Sequence, residues 1–474
     1  MLRRNYLHGT SASNEARTLA GQGTGMTTTA VAEERQAEDV PGFAQAARAN
    51  VSFARQPILN RDNMLCAFEL KLYEAPAAGS GDQEAGGEQP EAQTRRAESI
   101  IHAILQPDVR AALANHPGYL PVTRELLFDD AIRSLPAERF MLELPPDIVA
   151  DDQLISRIVE LHGRRYRFVI DNVAQANDTF ARLLPYADAV KIDMHRIPQA
   201  MLPKFASVLK SAGKLLIAQG VESQEVYGQA LDLGFDRFQG YYFAHPQGAA
   251  ARKVSAPRHA LLNLLQLLGG EPTVAQLEAE LKLNPVLVMH LMRLANSSGL
   301  AMGRKVTTLR EAINATGTNR IARWTQLLLY ADGRKVALED DPLLQLAATR
   351  ARFMELAVQR LPEAGRDETD AAFLTGVFSF VDSVFGGSLE HTLNVLVLSK
   401  PIRDAILLRE GVLGTLLTVV EALERGAWAD VESACERLDG LQALDVAQMG
   451  LVSAAWAGVA DRSAEATGLE RLED

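Results

Sequence analysis

From Val51 to about Gly248, short apolar runs alternate with longer stretches whose apolar residues recur every three or four positions. Phe140–Leu144, Arg167–Ile170, Ala189–Ile192 and Lys214–Ala218 have the length of strands. Between them, Asp152–His162 and Met201–Ala212 carry helical spacing. Repetition of strand, helix and strand predicts parallel strands joined by crossover helices, an α/β barrel of the TIM-like kind. Such a barrel places its chemistry at the C-terminal ends of its strands. The stretch Ala75–Gln93, rich in Gly, Glu, Gln and Pro, breaks the alternation and is expected to be a mobile loop insertion.

From about Ala256 the strand-length runs stop. Leu261, Leu262, Leu265 and Leu268 make an apolar helical stripe that ends at Gly269–Gly270. Thr273 with Gln276, and Thr308 with Glu311, have the spacing of capping boxes, so a helix is expected after each. Asn284 before Pro285 reads as a cap and first turn, followed by Leu287, Leu291 and Leu294. Gly317 should stop one helix, with Asn319 or Arg320 opening the next. Long patterns over Pro342–Leu361, Ala371–Phe385 and Gly414–Arg425 complete an all-α region. The expected organisation is a tail over 1–50, a barrel domain over 51–248, a helical domain over 257–430, and a helical extension and tail over 431–474.

Composition narrows the function classes. The 474 residues are 47% hydrophobic and 23% charged, enough for two or three domains with their own cores. The first fifty are small, polar and charged without apolar period and are expected to be disordered. A net charge of −12 and a pI near 5.4 argue against a grip on nucleic-acid polymers. No apolar run reaches the ~18–20 residues of a membrane span, and the N-terminal stretch lacks a signal-peptide core. Only Cys66 and Cys435 occur, too few for a disulfide framework, so a cytoplasmic location is expected.

Polar residues gather at the ends of the predicted strands: Glu69, Glu143, Asp171, Lys191, Asp193, Gln219, Glu222 and Gln239. Carboxylates at a barrel mouth can hold Mg²⁺ or Mn²⁺, and two such ions activate water against a phosphodiester. The competing account is that such acids cap loops or pair with basic neighbours.

The segments Gln56-Pro57-Ile58, Phe68-Glu69-Leu70, Glu143-Leu144, Ile170-Asp171-Asn172, Lys191-Ile192-Asp193, Ala218-Gln219-Gly220-Val221-Glu222 and Gln239-Gly240-Tyr241-Tyr242-Phe243 follow in that order. Residues 51 to about 247 thereby resemble the EAL domain, a barrel family that hydrolyses cyclic di-GMP. The resemblance implies a metal-assisted phosphodiesterase ancestry, with Glu69, Glu143, Asp171, Lys191 and Glu222 as vestigial catalytic positions. It also implies departures. The family's Glu-Ala-Leu reads Glu69-Leu70-Lys71, its metal-binding asparagine falls at Pro121, its second paired aspartate is Asn172, and a glutamate of Ala-Glu-Gly-Val-Glu is Gln219. Proline offers a metal no side-chain oxygen. Asn172 and Gln219 each remove a negative charge that two divalent ions would require. No resident metal or other cofactor is therefore expected.

Residues Leu261–Asp332 resemble the HDOD domain, an all-helical relative of the HD hydrolases without their metal ligands. The resemblance rests on Asn284-Pro285-Val286-Leu287, on Leu291 to Ser297, on Val306 to Ile313 and on Arg320-Ile321-Ala322-Arg323-Trp324. No His-Asp dipeptide occurs in the chain, and His290 and His391 stand apart from other histidines. Gly269-Gly270-Glu271-Pro272 is turn punctuation. Trp324, Arg320 and Arg323 could form a partner-binding edge, or Trp324 could be core; Met289, Met292 and Met302 are expected as core filling.

Three readings follow. The first is a catalytically inactive signalling protein that acts on an unknown partner through its helical domain, in cyclic di-GMP-linked control of motility or biofilm. The second is a phosphodiesterase with a rearranged metal set around Glu69, Glu143 and Asp171. The third is a non-hydrolysing cyclic di-GMP receptor using Gln56, Glu69, Lys191 and Gln239. The EAL resemblance also makes a homodimer through the barrels an option.

Overall fold

The computed structural model describes residues 50–75, 90–245, 256–296, 306–331, 341–362, 364–385, 388–396 and 398–466. The tail before residue 50, most of the 75–93 insertion, the 248–257 boundary as far as residue 255, and Met302 lie outside them.

Eight strands form a closed barrel in chain order. They are β1 (Val51–Asn60), β2 (Leu65–Glu74), β3 (Gly118–Pro121), β4 (Phe140–Leu144), β5 (Arg167–Val173), β6 (Ala189–Asp193), β7 (Leu215–Gln219) and β8 (Arg237–Gln239). The helices between them are α1 (Pro90–Ile104), α2 (Pro107–Leu113), α3 (Arg124–Phe128), α4 (Asp152–Gly163), α5 (Asp178–Leu183), α6 (Leu202–Ser211) and α7 (Gln224–Asp232). From β2 to β8 every pairing is parallel, as the alternation predicts. The exception corrects the all-parallel expectation: β1 runs antiparallel to both β2 and β8. Its physical cause is local, because Asn60 closes a tight turn into Met64 and leaves no room for a crossover helix. The insertion is also shorter than expected, since α1 begins at Pro90, a residue suited to a first helical turn.

The helical region comprises α8 (Arg258–Gly269), α9 (Val274–Lys282), α10 (Pro285–Ala295), α11 (Leu309–Thr316) and α12 (Thr318–Ala331). It continues with α13 (Pro342–Val358), α14 (Arg366–Phe378), α15 (Val381–Phe385), α16 (Leu389–Leu396), α17 (Lys400–Leu408), α18 (Gly411–Arg425), α19 (Trp428–Cys435) and α20 (Ala443–Ala466). Both expected capping boxes form, and Asn284 caps α10 through the Leu287 amide. Gly317 ends α11 at φ 75°, and α12 opens at Thr318, directly behind it. The stretch expected as one helix over Ala371–Phe385 is two. The Glu368 carboxylate accepts the Gly365 amide and starts α14 early. At its end, the Ser379 hydroxyl donates to the Gly376 carbonyl and accepts from Arg350, which breaks the run before α15.

Gly376 is where α13 and α14 cross most closely: a Cβ built there would lie 2.5 Å from the Ala351 Cα. Gly376→Ala is therefore expected to cost about 1–3 kcal/mol through backbone displacement. Urea denaturation measures it, and an unchanged midpoint would refute the close crossing.

The helical region packs directly on the barrel, with α18 and α20 against β1 and α20 also against α2. Arg55 on β1 donates to the Ala112 carbonyl and to Thr349 Oγ1 of α13 at 3.1 Å, with its guanidinium 4.2 Å from the Phe68 ring. Buried Arg350 grips Glu424 through two nitrogens, at 2.9 and 2.5 Å. A cavity of about 50 Å³ between the two regions is lined by Phe53, Arg55, Phe68, Phe353 and Leu423 among others. Among the described residues no helix is long and apolar enough to cross a membrane.

Candidate functional site at the barrel mouth

Side chains alternate along a strand, so residues two apart point into the same interior but sit one layer higher or lower. Ile58, Ala67, Tyr119, Val169, Ala189 and Ile217 form one apolar layer inside the barrel, with Met141 packed against it. Moving two residues toward the mouth on each strand reaches Gln56, Glu69, Pro121, Asp171, Lys191, Gln219 and Glu143. The register aligns them, pairing Gln56 with Glu69, Pro121 with Glu143, and Gln219 with Gln239. The apolar layer closes the barrel, and the polar layer stands directly on it.

Lys191 is the centre of that layer and has no exposed surface. Its Nζ pairs with Glu143 Oε1, lies 3.1 Å from Glu69 Oε2 and 3.6 Å from Asp171 Oδ1. Glu69 also pairs with Lys71 and accepts from Gln239 Nε2, which in turn donates to Gln56 Oε1 at 2.7 Å. All four residues of the receptor reading, Gln56, Glu69, Lys191 and Gln239, thus touch one another in a chain. So do Glu69, Glu143 and Asp171 through Lys191.

The other sequence candidates sit differently. Glu222 is exposed and accepts the Tyr241 amide at 3.3 Å. Asp193 accepts the His195 amide at 2.9 Å, and His195 Nε2 lies 2.9 Å from the Gly220 carbonyl oxygen. Both acids therefore organise loops at the rim. Asn172 has φ 47°, a left-handed conformation that asparagine and aspartate tolerate best after glycine, and its Oδ1 accepts from Arg196 at 3.2 Å. Pro121 is exposed at the end of β3. Among the described residues, four buried oxygens at the mouth have no hydrogen-bond partner: Glu143 Oε2, Asp171 Oδ1, Gln219 Oε1 and Gln239 Oε1. Lys71 was missed as a site residue; its signal is a lysine two positions after Glu69, on the same face of β2.

Charge decides which acids ionise. Burial opposes ionisation of Glu69, but Lys191 and Lys71 outweigh it and hold its carboxyl down at about 2. For Glu143, burial wins: despite Lys191, and with the neighbouring Glu69 and Asp171 adding repulsion, its carboxyl is pushed up to about 8. Burial also opposes the Lys191 charge, yet the three carboxylates keep its ammonium protonated well beyond the usual range. Three carboxyls share two ammoniums, and the fully enclosed one keeps its proton.

A raised carboxyl gives stability that is complete below its unfolded value near 4.5 and is lost as pH rises through about 8. A depressed one acts oppositely, so the Glu69 contribution is lost as pH falls from about 4.5 toward 2. Between about pH 4.5 and 8 the chain should lose stability at up to about 1.4 kcal/mol per pH unit, and Glu143→Gln should flatten that slope. Melting temperatures across the range test it; an equally steep slope in the variant would assign the loss elsewhere.

In the helical region, Met289 and Met292 are core as expected, and burial lowers the His290 imidazole to about 4. The Trp324 ring lies 6.4 Å from His290 and is half-buried, while Arg320 and Arg323 are exposed. His391 is exposed at the start of α16.

Comparison with known proteins decides the family. The EAL domain family matches residues 100–246, and the HDOD domain family matches residues 259–379. The chain is an EAL–HDOD tandem protein. Its relatives include the uncharacterized protein YuxH of Bacillus subtilis, 25% identical over 405 residues, covering 83% of this chain and 96% of YuxH. The cyclic di-GMP phosphodiesterase CdgJ of Vibrio cholerae is 27% identical over 410 residues, covering 85% of this chain and 91% of CdgJ. Among solved structures, the manganese and cyclic di-GMP complex of Klebsiella pneumoniae BlrP1 at pH 6 is 19% identical with a TM-score of 0.33, covering 41% of this chain and 55% of that one. A standalone EAL protein from Vibrio cholerae with bound cyclic di-GMP is 21% identical with a TM-score of 0.32, covering 42% and 92%. The EAL match begins after β1 and β2, so Glu69 and Lys71 precede it, and α15–α20 follow the HDOD match.

Proposed function

We propose that this EAL–HDOD protein is a signalling module without phosphodiesterase turnover, whose barrel mouth receives and whose helices deliver to a partner protein. One observation carries the reading. The three acids of the mouth are gathered on the Lys191 ammonium, while the flanking positions hold Pro121, Asn172 and Gln219.

The resemblance implies two divalent ions, and this donor set fits them poorly. The orphaned oxygens of Glu143 and Asp171 could serve an ion, but proline supplies none and the amides at 172 and 219 supply no charge. Lys191 and Lys71 instead balance the carboxylates from within. A site neutralised by its own lysines has less need of metal to admit an anion.

Similarity to the Vibrio cholerae phosphodiesterase makes cyclic di-GMP the ligand to test and keeps hydrolysis as the second reading. The half-buried Trp324 beside exposed Arg320 and Arg323 favours α12 as the delivering face. Purified protein with Mg²⁺ or Mn²⁺ and cyclic di-GMP is expected to release no linear dinucleotide over hours. Steady turnover would establish the hydrolase. Calorimetry at tens of micromolar then separates a receptor, which gives heat, from a barrel that only docks.

A further inference from the structure

The corner between α18 and α19, Glu424–Trp428, lies beyond both matched domain spans, yet two strands of the barrel mouth end on it. From β2, Lys71 reaches inward to Glu69 with its ammonium and lays its stem against Gly426. Gly426 caps α18 at φ 66°, and a Cβ built there would meet Lys71 Cγ at 2.7 Å and Lys71 Cβ at 2.9 Å. Two residues on, the Tyr73 ring packs on Trp428 at 4.8 Å between centroids and its hydroxyl donates to Glu432 Oε1 at 3.1 Å. From β8, Gln239 of the mouth is followed by Gly240 and Tyr241, and the buried Tyr241 hydroxyl donates to the Glu424 carbonyl. Gly240 leaves no slack between them, because a Cβ there would lie 2.0 Å from the Val221 carbonyl oxygen.

We infer that this corner is a wall of the barrel mouth and that Lys71 is the positioning residue that couples the mouth to the helical region. The inference deepens the signalling reading and rests on it for its purpose, but not for its geometry. Lys71 divides its side chain between two masters: the ammonium answers to Glu69 and the stem to Gly426. An anion entering the mouth competes with Glu69 for the ammonium. Any shift of the stem is then felt at a backbone corner that has no side chain to yield. Because coupling is reciprocal, a disturbance of the corner must also change the mouth.

The joint can be tested without ligand by hydrogen–deuterium exchange on the full chain. The amides to read are Gly426, Ala427, Asp430 and Val431, which bond to the carbonyls of Leu423, Ala422 and Ala427. Glu69→Gln and Lys71→Met are each expected to speed their exchange by roughly tenfold or more, with α13 and α14 unchanged. Lys71→Arg, which keeps a cation, should restore the wild-type rate, a rescue that simple packing loss would not show. Should Glu69→Gln fold poorly, Lys71→Met decides alone, since Lys71 is partly exposed. Wild-type exchange at the corner in these variants would overturn the inference. With cyclic di-GMP, heat without any change at the corner would also overturn it while leaving a receptor intact. Absence of heat removes the receptor reading and leaves the variants to decide.

Discussion

Replacing Lys191 by methionine is expected to lower the stability of the chain by about 3–5 kcal/mol, the usual result of stranding buried charge. Methionine fills a similar volume, so the loss is electrostatic. Lys191 is completely enclosed and is the shared partner of Glu69, Glu143 and Asp171. Without it, Glu69 keeps Lys71, but Glu143 loses its ammonium partner and Asp171 loses the nearest one. Glu143, whose carboxyl is already pushed up to about 8 with Lys191 present, then stays protonated over a still wider range, so the deficit should be smaller at pH 5 than at pH 8 and above. Combining Lys191→Met with Glu69→Gln and Glu143→Gln should recover much of the loss, since neutral groups need no counter-ion. Denaturant titrations at pH 5 and pH 8 read both effects. A loss below about 1 kcal/mol at pH 8 would mean that water, not Lys191, balances these acids.

How much of this could be seen in the sequence depends on how local the cause is. The strand Phe140–Leu144 and the boxes Thr273–Gln276 and Thr308–Glu311 lie where periodicity and capping place them, because neighbours within four residues fix them. The polar layer was legible for a related reason. Glu69, Asp171, Lys191 and Gln219 each follow an apolar interior residue by two, and strand geometry stacks them. What the acids would pair with was not legible. Lys191 and Glu143 are 48 residues apart, and nothing along the chain marks them as partners. The same limit hid the antiparallel β1, whose direction follows from the Asn60 turn and not from its apolar pattern. It also hid the docking of the last helices. Tyr73 meets Glu432 across 359 residues and Tyr241 meets Glu424 across 183, contacts set by how two regions pack. The long pattern near Ala371 misled because a serine hydroxyl, not a proline or glycine, breaks the helix at Ser379. Hydrophobic period alone cannot register that competition for a backbone carbonyl.

Restoring the three departed positions together, Pro121→Asn, Asn172→Asp and Gln219→Glu, should create a divalent-metal site at the barrel mouth. Each restored ligand or charge partner is expected to raise Mn²⁺ affinity by about 10-fold or more, on the order of 10³ for the set. The backbone permits it. Asn172 sits at φ 47°, which aspartate tolerates equally, and Gln219 already aims an unpartnered buried oxygen that a glutamate would replace with a charge. Position 121 ends a strand beside Glu143, in register with it. The same substitutions add two negative charges around Lys191, so the metal-free variant should melt below the native chain. Mn²⁺ should then raise its melting temperature, whereas the native chain, already balanced by Lys71 and Lys191, should respond weakly. Calorimetric titration and melting with and without Mn²⁺ give independent readings of one cause. If the native chain bound Mn²⁺ as tightly as the variant, the lysines would not be standing in for the metal, and hydrolysis would become the better account of the mouth.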